Sequence, residues 1–362
     1  MSISGIDSIV SFNMSQNLSI GRREIGYDHP CYVIAEGCDN HLGDLEVARE
    51  MCRQARLAGA DAIKFQHHLP DEEMLRDAPM SDNFKEPLYD FLVKHALKLD
   101  GHRELMAYCK EIGIQYMCTP FSYRAAEEMV GLGLNVIKIG SGEMTDIPSL
   151  IRMAKTFRRP MIVSTGMSTY EEIDRTYHAL VATGVPLALT YCVSEYPPVY
   201  EDMNLNSIRT MIERYPAAVI GHSDHTPDLY TCFAAVTFGA KIIEKHVILD
   251  KRQLGPDQSV SIDFRDLAAL VDGIRKIEAS LGGEKKVHDR EQPIRTWAFR
   301  SIVTTRAVRK GERITGDMIW SKRPGTGIPS RFRESITGRI AVRDIGANVL
   351  LAWDDVDGAR LE

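Results

Sequence analysis

The chain has 362 residues, of which 44 are Lys or Arg and 50 are Asp or Glu, giving a formal charge of -6 at neutral pH. That length is enough to bury a full-sized core, and the slightly acidic balance argues against a nucleic-acid-binding protein. No stretch approaches the roughly 20 apolar residues of a membrane span, and the opening MSISGIDSIVSF lacks the basic start of a signal peptide. The seven cysteines include no CxxC pair and no zinc-type spacing, so a reducing cytoplasm is expected, and Cys38 reads as a packing residue with a regulatory thiol as the alternative.

In chain order, SIGRREIGYDHP first predicts a small hairpin suited to plugging the floor of a barrel. Eight short apolar runs then alternate with longer amphipathic segments, at 32–38, 62–68, 115–121, 136–141, 160–166, 187–194, 218–224 and 241–247. Each reads as a buried parallel strand. Between the first two, DLEVAREMCRQARLAGA predicts a helix with Leu45, Val47, Met51, Ala55 and Leu57 near one face and Gly59 as its stop. Eight strand-helix units in about 250 residues match the arithmetic of an α/β fold of the (β/α)8 TIM-barrel type. A doubly wound open sheet is the alternative.

The segment after the second run is longer than the others and carries Asp71, Glu72 and Glu73, as either a lid or a solvated loop. After the eighth unit, VDGIRKIEASLGG ends at a glycine pair and EKKVHDREQP reads as a linker. The expected division is therefore a barrel over 1–285, a linker over 286–296 and a small, mostly β domain over 297–362, with turns at Lys310-Gly311 and Pro324-Gly325. Charge follows the same division: residues 286–362 hold 15 Lys/Arg and 10 Asp/Glu, against 29 and 40 in the remainder.

Nearly every predicted strand ends in groups able to do chemistry: Glu36, Lys64 with Gln66, Thr119, Lys138 with Ser141, Ser164, Ser194 with Tyr196, Ser223 with His225, and Glu244 with His246. In a closed barrel these ends share one mouth. His225 and His246, on neighbouring strands, form a pair able to bind one divalent cation and leave positions open. Lys64 and Lys138 sit inside apolar runs, where a lone ammonium is costly, so they require an anion. Ringed by hydroxyls, they suit a small polyanion bearing phosphate and carboxylate, although a Schiff-base lysine is a competing use. Glu36, Glu244 and Asp257 remain as candidate acids, bases or sugar-hydroxyl acceptors.

The ordered blocks IGYDHP, IAEGCDNHLGDL, GADAIKFQ, CTPFS, IKIGSGEMTDIPSL, STGMS, CVSEYPP, GHSDHT, EKHV, GPDQSVS, AFRSIV and KRPGTGI give the chain a resemblance to the sialic acid synthase family, with its pseudaminic and legionaminic acid synthase branches. The resemblance spans nearly the whole chain. It implies a TIM barrel followed by an antifreeze-like (SAF) domain, and a transferase that condenses phosphoenolpyruvate with an N-acylated hexosamine such as N-acetylmannosamine or a 2,4-diacetamido hexose. It implies that Lys64, Thr119, Lys138, Ser141, Ser164, Ser194 and Ser223 hold phosphoenolpyruvate, that Glu36, Gln66, Tyr196 and Asp257 face the sugar, and that Glu244 lies beside the metal. The metal on His225 and His246 would be manganese, with magnesium or cobalt as substitutes. A domain-swapped homodimer is also implied, with Arg323 of KRPGTGI reaching the sugar site of the other subunit.

Cys38-Asp39-Asn40-His41, His222 and Ser194 depart from that family pattern and bear on which sugar is used. Two other readings stand beside this one. The first is a related 3-deoxy-sugar acid synthase with a phosphorylated acceptor, which needs an arginine cluster on the rim. The second is a non-catalytic carbohydrate-binding protein on the same fold.

Overall fold

The computed structural model describes residues 17–79 and 86–360. The opening stretch that was read for a signal peptide lies outside the described residues. Twelve strands are numbered in chain order. They are β1 (Leu18–Ile20), β2 (Arg23–Ile25), β3 (Tyr32–Cys38), β4 (Ala62–His67), β5 (Gln115–Pro120), β6 (Ile137–Ile139), β7 (Met161–Ser164), β8 (Leu187–Cys192), β9 (Ala218–Asp224), β10 (Ile242–His246), β11 (Ser301–Thr304) and β12 (Ile319–Lys322). The described chain divides into two compact units, one ending at Gly282 and one beginning at Gly283.

In the first unit β3 to β10 form one parallel sheet in the order β5-β4-β3-β10-β9-β8-β7-β6. Each strand is bonded to its neighbour in sequence except β5 with β6, and β10 returns to β3. The end strands β5 and β6 pack side by side, which makes a near-closed, TIM-like barrel of eight parallel strands. A doubly wound sheet would reverse its strand order at a switch point, and this one does not.

Two apolar layers account for the fold. The outer one lies between strands and helices; the inner one fills the barrel, where Tyr32, Ile34, Ala62, Met117, Val136, Ile162, Ala188, Val219 and Ile242 cluster. Into that inner cluster the antiparallel β1-β2 hairpin inserts Leu18, Ile20 and Ile25, all essentially inaccessible to solvent. The hairpin is thus the predicted plug, and it seals the end of the barrel opposite the strand C-termini.

The first helix, Leu45–Ala58, is capped by the Asp44 carboxylate, which accepts from the Glu46 and Val47 amides, and it stops at Gly59 with φ of 85°. Its buried stripe is Ala48, Met51, Cys52 and Ala55, whereas Leu57 is 68% exposed. The stripe therefore lies one step round the helix from the expected face. Beyond β4, helices Pro70–Glu73, Leu88–His95 and Leu99–Ile112 follow. Glu73 turns inward to His68 at 3.0 Å, while Asp71 stays exposed and accepts from the Tyr89 hydroxyl at 2.6 Å. The predicted acidic patch is thereby split between an inner and an outer role.

The second unit carries a small antiparallel sheet that pairs β11 with β12. Its core contains Ile302, Val308, Ile314, Ile319, Ile328, Ile336 and Leu351. Helix Gln292–Ala298 occupies part of the stretch read as a linker. No helix among the described residues is long and apolar enough to cross a membrane.

Candidate active site

Strand register assembles the mouth. Glu36 lies opposite Lys64 on one side and His246 on the other, and Glu244 is level with Ser223. A cavity of about 440 Å³ opens there, lined by Glu36, Lys64, Gln66, Thr119, Lys138, Ser141, Ser164, Ser194, Tyr196, Ser223, His225, Glu244, His246 and Asp257. Every barrel residue given a catalytic, binding or metal role from the sequence therefore faces one space. Arg323 belongs to the second unit, where its guanidinium lies over the Trp297 ring at 5.1 Å.

Two ammonium groups and two carboxylates form the electrostatic centre. Lys64 pairs with Glu36, donates to Thr119 Oγ1 at 2.9 Å and lies 3.5 Å from Glu244. Lys138 lies 3.6 Å from the same Glu244 oxygen, which also accepts from Ser223 at 3.1 Å. Burial opposes charge on all four groups, and their partners decide the outcome. For Lys64, burial is outweighed by Glu244 and Glu36, so its ammonium is held above the ordinary range. Lys138 is only partly compensated and is pulled down by burial. Glu244, facing both lysines, is held below the usual carboxylate range despite its burial, while burial pushes Glu36 up to about 7. One carboxylate is thereby kept ionised and the other is poised near neutrality.

The hydroxyl side is built around Gly166. Ser141 donates to Ser164 at 2.9 Å, and the Gly166 amide donates to Ser141 Oγ at 3.2 Å. A Cβ on Gly166 would sit 2.1 Å from Ser194 Oγ and 2.7 Å from Ser141 Oγ, so glycine is what lets these hydroxyls converge. Hydroxyls and a backbone N–H pointed at one spot make an anion cradle.

The histidines follow next to this cradle, Cys192 Sγ lying 3.8 Å from Ser194 Oγ and 3.9 Å from His225 Nδ1. The His225 and His246 rings are 5.1 Å apart, with Tyr196 stacked on His225 at 4.2 Å. Nδ1 of His225 is 2.8 Å from the Val193 carbonyl, which can only accept, so this nitrogen carries a proton; burial disfavours a second one, but the Cys192 thiol beside the ring raises it to about 9, so Nε2 must give up a proton before it binds a cation. Burial and the neighbouring His225 hold His246 well below its usual range, hence neutral, and its buried Nδ1 has no hydrogen-bond partner. Ligand atoms of Cys38, His246 and Asp257 lie within 4.8 Å of one another. These neutral-nitrogen, thiol and carboxylate donors fit a divalent cation.

Other histidines have structural partners. His222 bonds to the Tyr191 carbonyl and to Asp224, and His67 to Glu128. Sequence reasoning missed two features of the mouth: His68, stacked on Phe121 at 4.3 Å and bonded to Gln66, lines the cavity, and Leu88 with Leu92 forms an apolar wall. Cys38, read as packing, stands beside His246 and Asp257. The signal available for Cys38 was its unusual place in EGCDNH.

Comparison with known proteins agrees with this architecture. A NeuB family model matches residues 51–286 and a SAF domain model matches 299–357. The N,N'-diacetyllegionaminic acid synthase of Legionella pneumophila is 34% identical over 363 residues, covering 95% of this chain and 100% of that protein. The pseudaminic acid synthase of Campylobacter jejuni is 32% identical, covering 88% and 94%. Among solved structures, the N-acetylneuraminic acid synthetase of Leptospira borgpetersenii superposes with a TM-score of 0.71 at 30% identity, over 78% of this chain and 96% of that one. Barrel, second domain and sequence thus agree, and the chain belongs to the NeuB family.

Proposed function

We propose that the protein is a nonulosonate synthase, a transferase that condenses phosphoenolpyruvate with the open-chain aldehyde of an N-acylated hexosamine and releases phosphate by C–O cleavage. The observation that carries this reading is the pair Lys64 and Lys138, desolvated at the barrel mouth beside the Ser141-Ser164-Gly166 cradle. Their charge and the surrounding hydroxyls of Thr119, Ser194 and Ser223 bind the phosphate and carboxylate of phosphoenolpyruvate. The relatives' names support the product class.

C3 of phosphoenolpyruvate attacks C1 of the aldehyde and forms the carbon-carbon bond. Positive charge develops at C2, water adds there, and the resulting hemiketal phosphate expels inorganic phosphate. Glu36, poised near 7, takes the proton from the incoming water, while Glu244 stays ionised and holds both lysines in place. Gln66, Tyr196 and Asp257 orient the sugar. His225, His246 and Asp257 would hold a divalent cation, manganese or else magnesium or cobalt, which supplies Lewis acidity toward an aldehyde oxygen when bound. Among the described residues, Lys64 and Lys138 are the lysines lining the cavity and no arginine joins them, which favours an acceptor without its own phosphate. A homodimer in which the SAF domain of one subunit offers Arg323 to the barrel of the other completes the sugar site in this proposal.

The test is phosphate release from phosphoenolpyruvate by the purified full chain, with mass spectrometry of products from a mixture of N-acetyl and diacetamido hexoses. Release is expected only with an amino-sugar and a divalent cation both present. Metal-independent release, or no nine-carbon product with any N-acylated hexosamine, would refute the proposal.

A further inference from the structure

All seven cysteines are buried as free thiols, yet Cys38 is set apart from the others. Its sulfur, a His246 ring nitrogen and an Asp257 carboxylate oxygen form the one group of three or more His, Cys, Asp or Glu among the described residues with metal-ligating spacing. His246 is 5% exposed and its buried Nδ1 lacks any hydrogen-bond partner, an acceptor or donor left waiting in a polar site. Cys38 lies at the break in register between β3 and β4, where pairing steps from Glu36 with Lys64 to Cys38 with Phe65. Its φ of 39° is a left-handed conformation that glycine adopts freely and cysteine does not. Packing alone gives no reason to keep a cysteine at such a position, because glycine would adopt this backbone without strain.

We infer that Cys38 is a metal ligand, and that its sulfur tunes the site toward a thiophilic divalent cation, zinc or iron(II) in class, ahead of manganese or magnesium. This deepens the proposed function and rests on its clause that a divalent cation binds at the mouth. In the free protein the buried Cys38 thiol stands beside the Asp257 carboxylate. On binding, the sulfur-metal bond forms as the thiol proton leaves to solvent, giving a thiolate, imidazole and carboxylate set with His225 alongside. Thiolate is a poor ligand for magnesium, which prefers oxygen, and a good one for zinc and cobalt. The inference revises the manganese expectation without moving the site.

The test uses the whole protein, stripped of metal with a chelator and then titrated with Co²⁺ alone. Wild type should develop the intense near-ultraviolet absorption of thiolate-to-cobalt charge transfer. Cys38→Gly and Cys38→Ser should lose that band, and their zinc affinity by calorimetry should fall about tenfold or more while magnesium affinity is unchanged. Cys38→Gly suits the observed backbone, so circular dichroism and a thermal melt should show it folded. Complete loss of cobalt binding by that folded variant supports the inference equally. Cys192→Ser is the control, because Cys192 Sγ is 3.9 Å from His225 Nδ1 and is the other sulfur near the site. Cobalt bound by wild type without the band, or a band that survives Cys38→Gly or disappears in Cys192→Ser instead, overturns the role of Cys38 while leaving a metal site. No divalent-metal binding by wild type overturns the metal clause of the proposed function as well.

Discussion

Replacing Lys245 by methionine tests how the floor beneath the metal-side histidines is supported. Lys245 points away from the cavity, between Glu244 and His246 on β10, and both it and Asp224 have no solvent exposure. The Asp224 carboxylate accepts from Lys245 Nζ at 2.5 Å, Thr226 Oγ1 at 2.7 Å and Thr231 Oγ1 at 2.8 Å, and lies 3.2 Å from the His222 ring. Burial works against this charge, but His222 and Lys245 outweigh it and hold the carboxyl well below the usual carboxylate range. Methionine fills the volume and removes the ammonium, leaving the buried anion with only the His222 ring and two threonine hydroxyls to offset it, a change that costs about 3–5 kcal/mol. For a barrel of this size the loss corresponds to a fall in melting midpoint of roughly 6–20 °C.

The same geometry fixes a sign. With its depressed folded value, Asp224 contributes stability that is present above the unfolded carboxylate value near 4 and lost as pH falls through the folded one. In Lys245→Met the folded value rises instead, so the destabilisation should shrink as pH is lowered from 7 toward 5. Asp224→Asn combined with Lys245→Met should cost at least about 2 kcal/mol less than the two single changes added together. Urea and thermal unfolding, followed by circular dichroism at several pH values, measure all three. A Lys245→Met cost below about 1 kcal/mol, or strict additivity, would refute the view that this pair is an electrostatic unit.

Three further outcomes are expected. Gly166→Ala puts a methyl group 2.1 Å from Ser194 Oγ, so KM for phosphoenolpyruvate should rise about tenfold or more with the melting midpoint little changed; an unaltered KM would remove Gly166 from the anion cradle. Glu36→Gln should lower kcat by about 10²–10⁴, and should abolish the limb of the pH-rate profile near 7 that ionisation of Glu36 produces, with activity rising as pH passes upward through that value. A limb that persists in the variant assigns it elsewhere. Chelation should abolish turnover and lower the melting midpoint, both restored by added divalent cation, and His246→Ala should make the midpoint insensitive to metal. A metal-dependent midpoint in His246→Ala would exclude that ring from the site.

Much of this molecule is written locally. Strand and helix follow from hydrophobic runs and caps, because burial periodicity is a property of neighbouring residues. Thus β3 to β10 fall within the eight apolar runs, and Asp44 and Gly59 bound the first helix where capping chemistry says they should. Costly residues in those runs, Lys64 and Lys138, also announced a site, since a desolvated charge requires a partner wherever it ends up.

Distances across the barrel were a matter for the tertiary structure. Glu36 and Glu244 read alike in the sequence, and only their positions relative to the two lysines separate a carboxyl poised near 7 from one held low. Leu57 looked apolar and inward, but the curvature of the barrel gave the buried stripe to Ala48 and Cys52. Cys38 is the plainest case. Nothing adjacent to it in the chain is a ligand, and its neighbours in space, His246 and Asp257, lie more than two hundred residues away. Their convergence depends on β10 closing back onto β3, a long-range pairing that no local pattern encodes.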